Sequence, residues 1–508
     1  MKLRKMGLAL SLTAAVLAGS CLDAKAYYTE PKSSSTYIYG EFGWPMGSPD
    51  AYEYSRTVDL RSVGDYQPTN LTEMCVTDEN VYLVDTAAVG VILRFDRSMN
   101  YIDSLQTFTM PDGSTTQLSS PEGLYVAPDG RLYIADTGNS RVLVSDWKGN
   151  VSLEVLKPEN LVGTKLETFL PIKVVADSAG RISVVARNIN SGIMQFTSEG
   201  FFTGYIGAPS VSVDPFSKFM RKYFYTDAQR AATTTYVPTE YNNIKIDGNN
   251  FIWGTISALS ADDLIKAINS GDGSTTPIKK LNMKGGDVLV RHGLFPPVGD
   301  LVWTSSPSRI VDVGLGTNNI YSLLDSNMGR IFTYNNSGIL LYAFGGKGTA
   351  KGETQLPVAL DYVGNNMLLL DNGLSCVFIY EPTVYGQLLI DAEGYYQEGE
   401  YDAANECWRQ VTELNSNFAY PYIGLGDAEY NNGNYEEAMA YYQYANDRSS
   451  YSDAKEKIRK SNMEVAFPYI VGAVILLALL FVGKGIFIRA RRYVRGEMMT
   501  YGGGGDEE

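Results

Sequence analysis

Two regimes of hydrophobic patterning divide the chain. Between about residues 60 and 383, short apolar runs at 81–85, 132–136, 182–187, 251–255, 320–325 and 367–371 alternate with turn-forming Gly, Pro, Asn and Asp. The fullest copy, 120–146, holds strands at 123–126, 131–135 and 141–145, separated by Pro128-Asp129-Gly130 and Asp136-Thr137-Gly138-Asn139 and followed by Lys148-Gly149. Equivalent positions 85, 136 and 187 fall 51 residues apart. A four-stranded sheet cannot bury both its faces alone, so six such repeats predict an all-β six-bladed propeller whose neighbours close a ring. The tyrosine-rich stretch 37–59, within an N-terminal segment 27–59, is expected to add the closing strand. Two helical insertions are predicted. One spans 214–232, with Asp214 as N-cap and Pro215 in the first turn; the other spans 260–270, with Ser260 capping, Asp263 three residues on and Gly271 as the stop.

From 384 to 462 the period changes to that of helices. Gly399-x-Tyr401-x-x-Ala404 returns 34 residues later as Gly433-x-Tyr435-x-x-Ala438, and Trp408 aligns with Tyr442. Two copies fall short of a self-sufficient stack, so the pair is expected to be capped by the propeller, by a helix at 452–462 or by a partner. The plainer alternative is a helical spacer lifting the propeller off a membrane.

Two apolar segments frame the chain. Residues 1–26 read as a secretory signal peptide, with Lys2, Arg4 and Lys5, an apolar run and Ala24-Lys25-Ala26 as the cleavage site; lipidation at Cys21 is the rival. Residues 466–488 are long enough for one transmembrane helix and are followed by Arg489, Arg491, Arg492 and Arg495. Together they predict a single-pass type I protein of the cell membrane, with 27–465 extracytoplasmic and the tail 489–508 cytoplasmic.

Residues 60–382 resemble NHL repeats. The resemblance rests on Pro121-x-Gly123, on Asp136-Thr137-Gly138-Asn139-x-Arg141-Val142, and on Phe344-Gly345-Gly346-x-Gly348 with Leu356-Pro357. Repeats three and four are degenerate, with Arg187 where the aspartate is expected. The 34-residue unit resembles tetratricopeptide repeats (TPR). Both resemblances specify folds more than activities.

Charge and composition narrow the function. The formal charge of −15 conceals +3 in residues 1–26 and +1 in 466–508, leaving −19 between them, which disfavours nucleic acid as a partner. A single histidine, His292, excludes multi-histidine zinc sites and the amidating-lyase type of propeller. Cys75, Cys376 and Cys407 sit in apolar runs at irregular spacings and read as buried small residues.

In the NHL register, the inner-strand positions equivalent to the glycine of Pro-x-Gly are Glu73, Gly123, Lys173, Asn243, Arg309 and Ala359. The expectation is a channel mouth in which Glu73, Lys173, Asn243 and Arg309, joined by Glu240 and Arg187, bind an anionic or polyhydroxylated ligand, with no cofactor. The fold and this site imply an extracytoplasmic binding or scaffold protein of a bacterial cell envelope, docking a protein or a small polar, carbohydrate-like ligand. A role as accessory subunit of a membrane transport complex is included. The alternative is a metal-dependent lactonase-type hydrolase, since such propellers hold a divalent ion with glutamate and Asn/Asp ligands, to which Glu73, Asn242 and Asn243 correspond in part.

Overall fold

The computed structural model describes residues 36–40, 44–158, 168–187, 189, 191–207, 240–257, 259–260, 262–265, 276–291, 297–300 and 307–495. The expected signal peptide, the 214–232 insertion, His292 and the last residues of the tail lie outside these. Of the helix expected at 260–270, one turn at 262–265 is described, and Ser260 and Asp263 cap each other as predicted.

Six antiparallel sheets form the blades of a β-propeller. Their inner strands are Leu71–Val76, Gly123–Val126, Pro171–Ala176, Asn243–Ile246, Ile310–Leu315 and Pro357–Val363. The second strands Leu132–Asp136, Ile182–Ala186 and Tyr321–Asp325 are buried at every residue. Each blade is covered on both faces by its neighbours, so these strands read as nearly continuous apolar runs. Between the last and first blades, for example, Leu368, Leu370 and Val377 pack with Met74, Leu83 and Leu93.

The ring is closed by Tyr52–Asp59, which pairs antiparallel with Cys376–Pro382 from Cys376↔Asp59 to Pro382↔Tyr52. The other half of the 37–59 stretch does something else. Tyr37–Tyr39 and Pro45–Gly47 extend blade five through Tyr37↔Ala343. Tyr37 is buried there, its hydroxyl donating to Asp300 at 2.7 Å while Arg330 pairs with the same carboxylate.

The repeated aspartate has a structural task. Asp85, Asp136, Asp325 and Asp371 are fully buried at the ends of second strands. Each accepts backbone N–H groups from the loop entering its blade: Thr69 and Asn70, Ser119, Arg309, and Gln355 and Leu356 respectively. Such charge-assisted bonds fix where the inner strands of these four blades begin.

Five helices follow: α1 Val384–Glu398, α2 Tyr401–Leu414, α3 Ala419–Asn431, α4 Tyr435–Tyr444 and α5 Arg448–Val494. The 34-residue period is the αL glycine after α1 and α3. Gly399 and Gly433 have φ of 81° and 83°, values that cost a residue with a Cβ and let α2 and α4 fold back. Ala404 and Ala438 are buried at the resulting helix crossings, beside Trp408 and Tyr442.

Both structural caps expected of a two-repeat stack are present. At one end α5 brings Ala454 against Ala438 and Tyr442. At the other, α1 packs on the propeller. Tyr385, Leu389, Ile390 and Trp408 share one core with Tyr52, Tyr342, Tyr362 and Tyr380 of blades five and six. Polar contacts fix the fit: Asn318 Nδ2 donates to Ile390 O at 2.8 Å, and Asn335 Nδ2 to the buried Glu393 at 3.0 Å. Desolvation raises the Glu393 carboxyl above the ordinary range. Because these contacts continue the propeller core, the helices are more than a spacer. A charge at the crossing has no partner, so Ala438→Glu is expected to cost several kcal/mol, read as a lowered melting temperature of the full chain.

Helix α5 runs for 47 residues, about 70 Å at ~1.5 Å per residue, and only Ala454 in it is buried. It contains the apolar 466–488 segment. Among the described residues it is the one helix long and apolar enough to cross a membrane.

Candidate functional site

Side chains alternate along each inner strand, so every second residue faces the channel. Strand pairing gives the equivalent positions: Glu73↔Val84, Gly123↔Ala135, Lys173↔Val185, Asn243↔Thr255, Asp312↔Leu324 and Ala359↔Leu370. Two residues further on lie Cys75, Tyr125, Val175, Lys245, Gly314 and Asp361. The channel is therefore walled by two successive rings.

Contacts across the channel confirm the rings. Lys173 of blade three pairs with Glu73 of blade one, passing the place where Gly123 has no side chain. A Cβ on Gly123 would lie 2.6 Å from the carbonyl oxygen of Ile172. Asn243 Nδ2 donates to Asp312 Oδ1 at 2.5 Å, and Asp312 also accepts the N–H groups of Val313 and Leu360, each at 2.7 Å. Lys245 Nζ lies 3.2 Å from Asp312 Oδ2 and 3.6 Å from Asp361 Oδ2 and donates to Leu360 O at 2.6 Å.

Burial sets the electrostatics. Desolvation raises the carboxyl groups of Glu73 and Asp361, with Lys173 and Lys245 respectively opposing it. Desolvation alone would lower Lys245, but Asp312, Asp361 and Glu73 outweigh it and hold the ammonium above its usual value. The Cys75 thiol beside them is pushed up to about 12 by burial, which leaves it protonated and unreactive.

A cavity of about 720 Å³ occupies the channel. Its rim consists of the turns after the inner strands, including Asp78, Pro128, Ser178, Asn250, Thr317 and Gly364, and Glu73 and Lys173 lie at its inner end. This corrects the sequence reading in three respects. The starts of the inner strands form a floor, not a mouth. Arg309 is not in the ring: Pro307-Ser308-Arg309 imitates Pro-x-Gly, but the strand begins at Ile310 and carries a bulge before Asp312, so the equivalent residue comes three positions later. Arg309 is exposed, and its backbone N–H is held by Asp325.

Arg187 and Glu240 do not line the cavity either. The strand register puts Ala186, not Arg187, at the position of Asp85 and Asp325; Arg187 follows it, turns outward and donates to both oxygens of Glu122, at 2.7 and 2.6 Å, and Glu240 is exposed. The third correction is one of sign. Glu73, Asp78, Asp177, Asp247 and Asp361 outnumber Arg97, Lys173 and Lys245 around the cavity. Of the residues the sequence missed, Lys245 and Asp361 stand two positions after Asn243 and Ala359 with no bulge between them, and Asp312 was displaced by the false match at Arg309.

Among the described residues no group of three or more His, Cys, Asp and Glu side chains converges in a way that could hold a metal. Of the three positions that echo a lactonase site, Glu73 is engaged by Lys173 and Asn243 by Asp312, while Asn242 donates through Nδ2 to Val311 O at 2.9 Å and keeps its Oδ1 buried without a partner among the described residues. Cys75, Cys376 and Cys407 are unpaired thiols.

Comparison with protein families matches the NHL repeat to residues 118–144 and the TPR repeat to residues 393–433. The chain carries NHL and TPR repeats. These two matches fall on the fullest propeller repeat and on the span from α1 to α3. No curated protein matches the chain. Among solved structures, virginiamycin B lyase from Staphylococcus aureus is similar to it at 12% identity, over 65% of this chain and 100% of that one, with a TM-score of 0.39. A streptogramin B lyase is similar at 10% identity, over 66% of this chain and 100% of that one, also at 0.39. PorZ of Porphyromonas gingivalis, described as a surface component of the type-IX secretion system, is similar at 12% identity over 62% of this chain and 42% of that one, at 0.34.

Proposed function

We propose that the chain is a membrane-anchored, extracytoplasmic scaffold whose propeller and TPR helices act as one docking platform. The observation that carries this reading is the core shared by blades five and six with α1, α2 and the start of α3, which joins two interaction modules side to side. The TPR helices also have a pronounced charge. Residues 384–447 hold twelve Asp and Glu against Arg409 alone, a net −11, while Tyr395, Tyr396, Tyr401 and Tyr444 are exposed. Acidic groups interleaved with aromatic faces favour a protein partner with a basic docking surface, through ion pairs and cation–π contacts.

Orientation in the membrane rests on the N-terminal signal. Five Lys or Arg lie in 448–465 and five in 484–495, so the basic residues flanking 466–488 are balanced in number. Protease added to intact cells is expected to remove the propeller and TPR helices and leave a short C-terminal membrane fragment. A fully protected chain would contradict the orientation.

A further inference from the structure

The cavity has two unlike sides. In its second ring, blades one to three contribute Cys75, Tyr125 and Val175, and blades four and six contribute Lys245 and Asp361. One side therefore offers an aromatic and apolar wall, the other an ammonium beside a carboxylate. The Tyr125 ring is half-buried, and its hydroxyl makes no hydrogen bond to a described residue. Lys245 Nζ and Asp361 Oδ2 are 3.6 Å apart, beyond hydrogen-bonding length, which leaves an N–H and a carboxylate lone pair side by side. Both side chains retain some exposure to the cavity, 15% and 17%.

Charge selects among ligands. Glu73, Asp312 and Asp361 exceed Lys173 and Lys245 across the two rings, which disfavours an anion. Glu73 and Asp312 are taken up by lysine and backbone N–H partners, so in these rings a cation would meet Asp361 alone, with the Lys245 ammonium 3.6 Å from it to repel the ion. What remains is a neutral molecule with an apolar face and adjacent hydroxyls, in a cavity within the ~300–1,000 Å³ common for small ligands.

We propose that this cavity, entered from the turns that follow the inner strands, binds the end of a neutral saccharide, with Tyr125 stacking on the sugar ring and Asp361 and Lys245 holding a vicinal diol. The carboxylate accepts from one hydroxyl and the ammonium donates to its neighbour. This specifies a small-ligand site within the binding-protein reading above, and it stands or falls separately from the docking platform, because protease access and partner docking do not require a sugar.

The test is titration calorimetry of the full chain in a detergent without sugar groups, with maltotriose, mannotriose and chitotriose as neutral probes and trigalacturonate as the anionic one. At least one neutral trisaccharide should bind with one site per chain, at least tenfold tighter than trigalacturonate. Tyr125→Leu and Asp361→Asn should each weaken it at least tenfold, and Tyr125→Phe by less than threefold. Circular-dichroism melting checks folding, and if Asp361→Asn unfolds, the Tyr125 pair decides. Absence of binding by all three neutral probes, preference for trigalacturonate, or indifference to Tyr125→Leu would overturn the proposal.

Discussion

Replacing Lys245 with Met is expected to destabilise the propeller by about 3–5 kcal/mol, because the substitution leaves Asp312 and Asp361 buried around an ammonium that is no longer there. The lysine sits between blades five and six while belonging to blade four, so its loss loosens three inner strands at once. The pH dependence has a definite sign. Asp361 already has a carboxyl raised by desolvation, and removing the opposing cation raises it further. A carboxyl raised in the folded state favours folding below its unfolded value and loses that contribution as pH rises through the folded value. The deficit of Lys245→Met should therefore be largest near neutral pH and shrink toward pH 4. Adding Asp361→Asn to Lys245→Met should recover part of the loss at neutral pH. Denaturant titrations of the single and double variants at pH 4.5 and 7.5 measure both effects, and a deficit that grows on acidification would refute the assignment.

The second large effect is expected at Gly386, in the first turn of α1. A Cβ there would stand 1.9 Å from the carbonyl oxygen of Ala51, which itself accepts the N–H of Thr383 at 3.0 Å. Helix and propeller backbone are in contact at this point, so Gly386→Ala cannot be absorbed by rotating a side chain. The start of α1 must move away from blade six, separating Tyr385 and Leu389 from their neighbours, at a cost of about 3 kcal/mol. The distinctive readout is mechanical coupling: limited proteolysis should release an intact propeller from the variant and not from the parent chain. The same substitution at Gly433, where φ is positive but no atom lies within 4 Å, should strain α3–α4 without freeing the propeller.

Much of this architecture was legible because it is periodic. The six apolar runs mark the blades, since a second strand buried on both faces is apolar along most of its length. The 34-residue spacing of Gly399 and Gly433 marks a backbone conformation that glycine adopts at little cost. The aspartates at 85, 136, 325 and 371 were visible as a motif, and the structure supplies their reason, the capture of entering-loop N–H groups.

The channel was less legible. Register in blade five is hidden because Pro307-x-Arg309 offers a false match three residues before Asp312; the bulge before Asp312 also occurs in blades one, three and six and misleads nothing there. Which end of the channel opens depends on how the turns are placed around the ring, a property no single repeat encodes. The sign of the site followed from that error, because Arg309 took the place that belongs to Asp312. Lys173 is not the free ligand-binding cation its position in the repeat suggests; it neutralises Glu73 across a gap that exists because residue 123 is glycine.

The joining of two modules was open to either outcome from sequence, since a helical pair before a membrane span serves equally as a tether. Contacts of Asn318, Asn335 and Asn365 with α1 decide it, and asparagines in turns carry no signature of what they will touch. Differential scanning calorimetry of the full chain tests the single platform most directly. The account predicts one cooperative transition in which the propeller and α1–α4 melt together, split into two by Gly386→Ala. Two well-separated transitions in the parent chain, unaffected by that substitution, would contradict it.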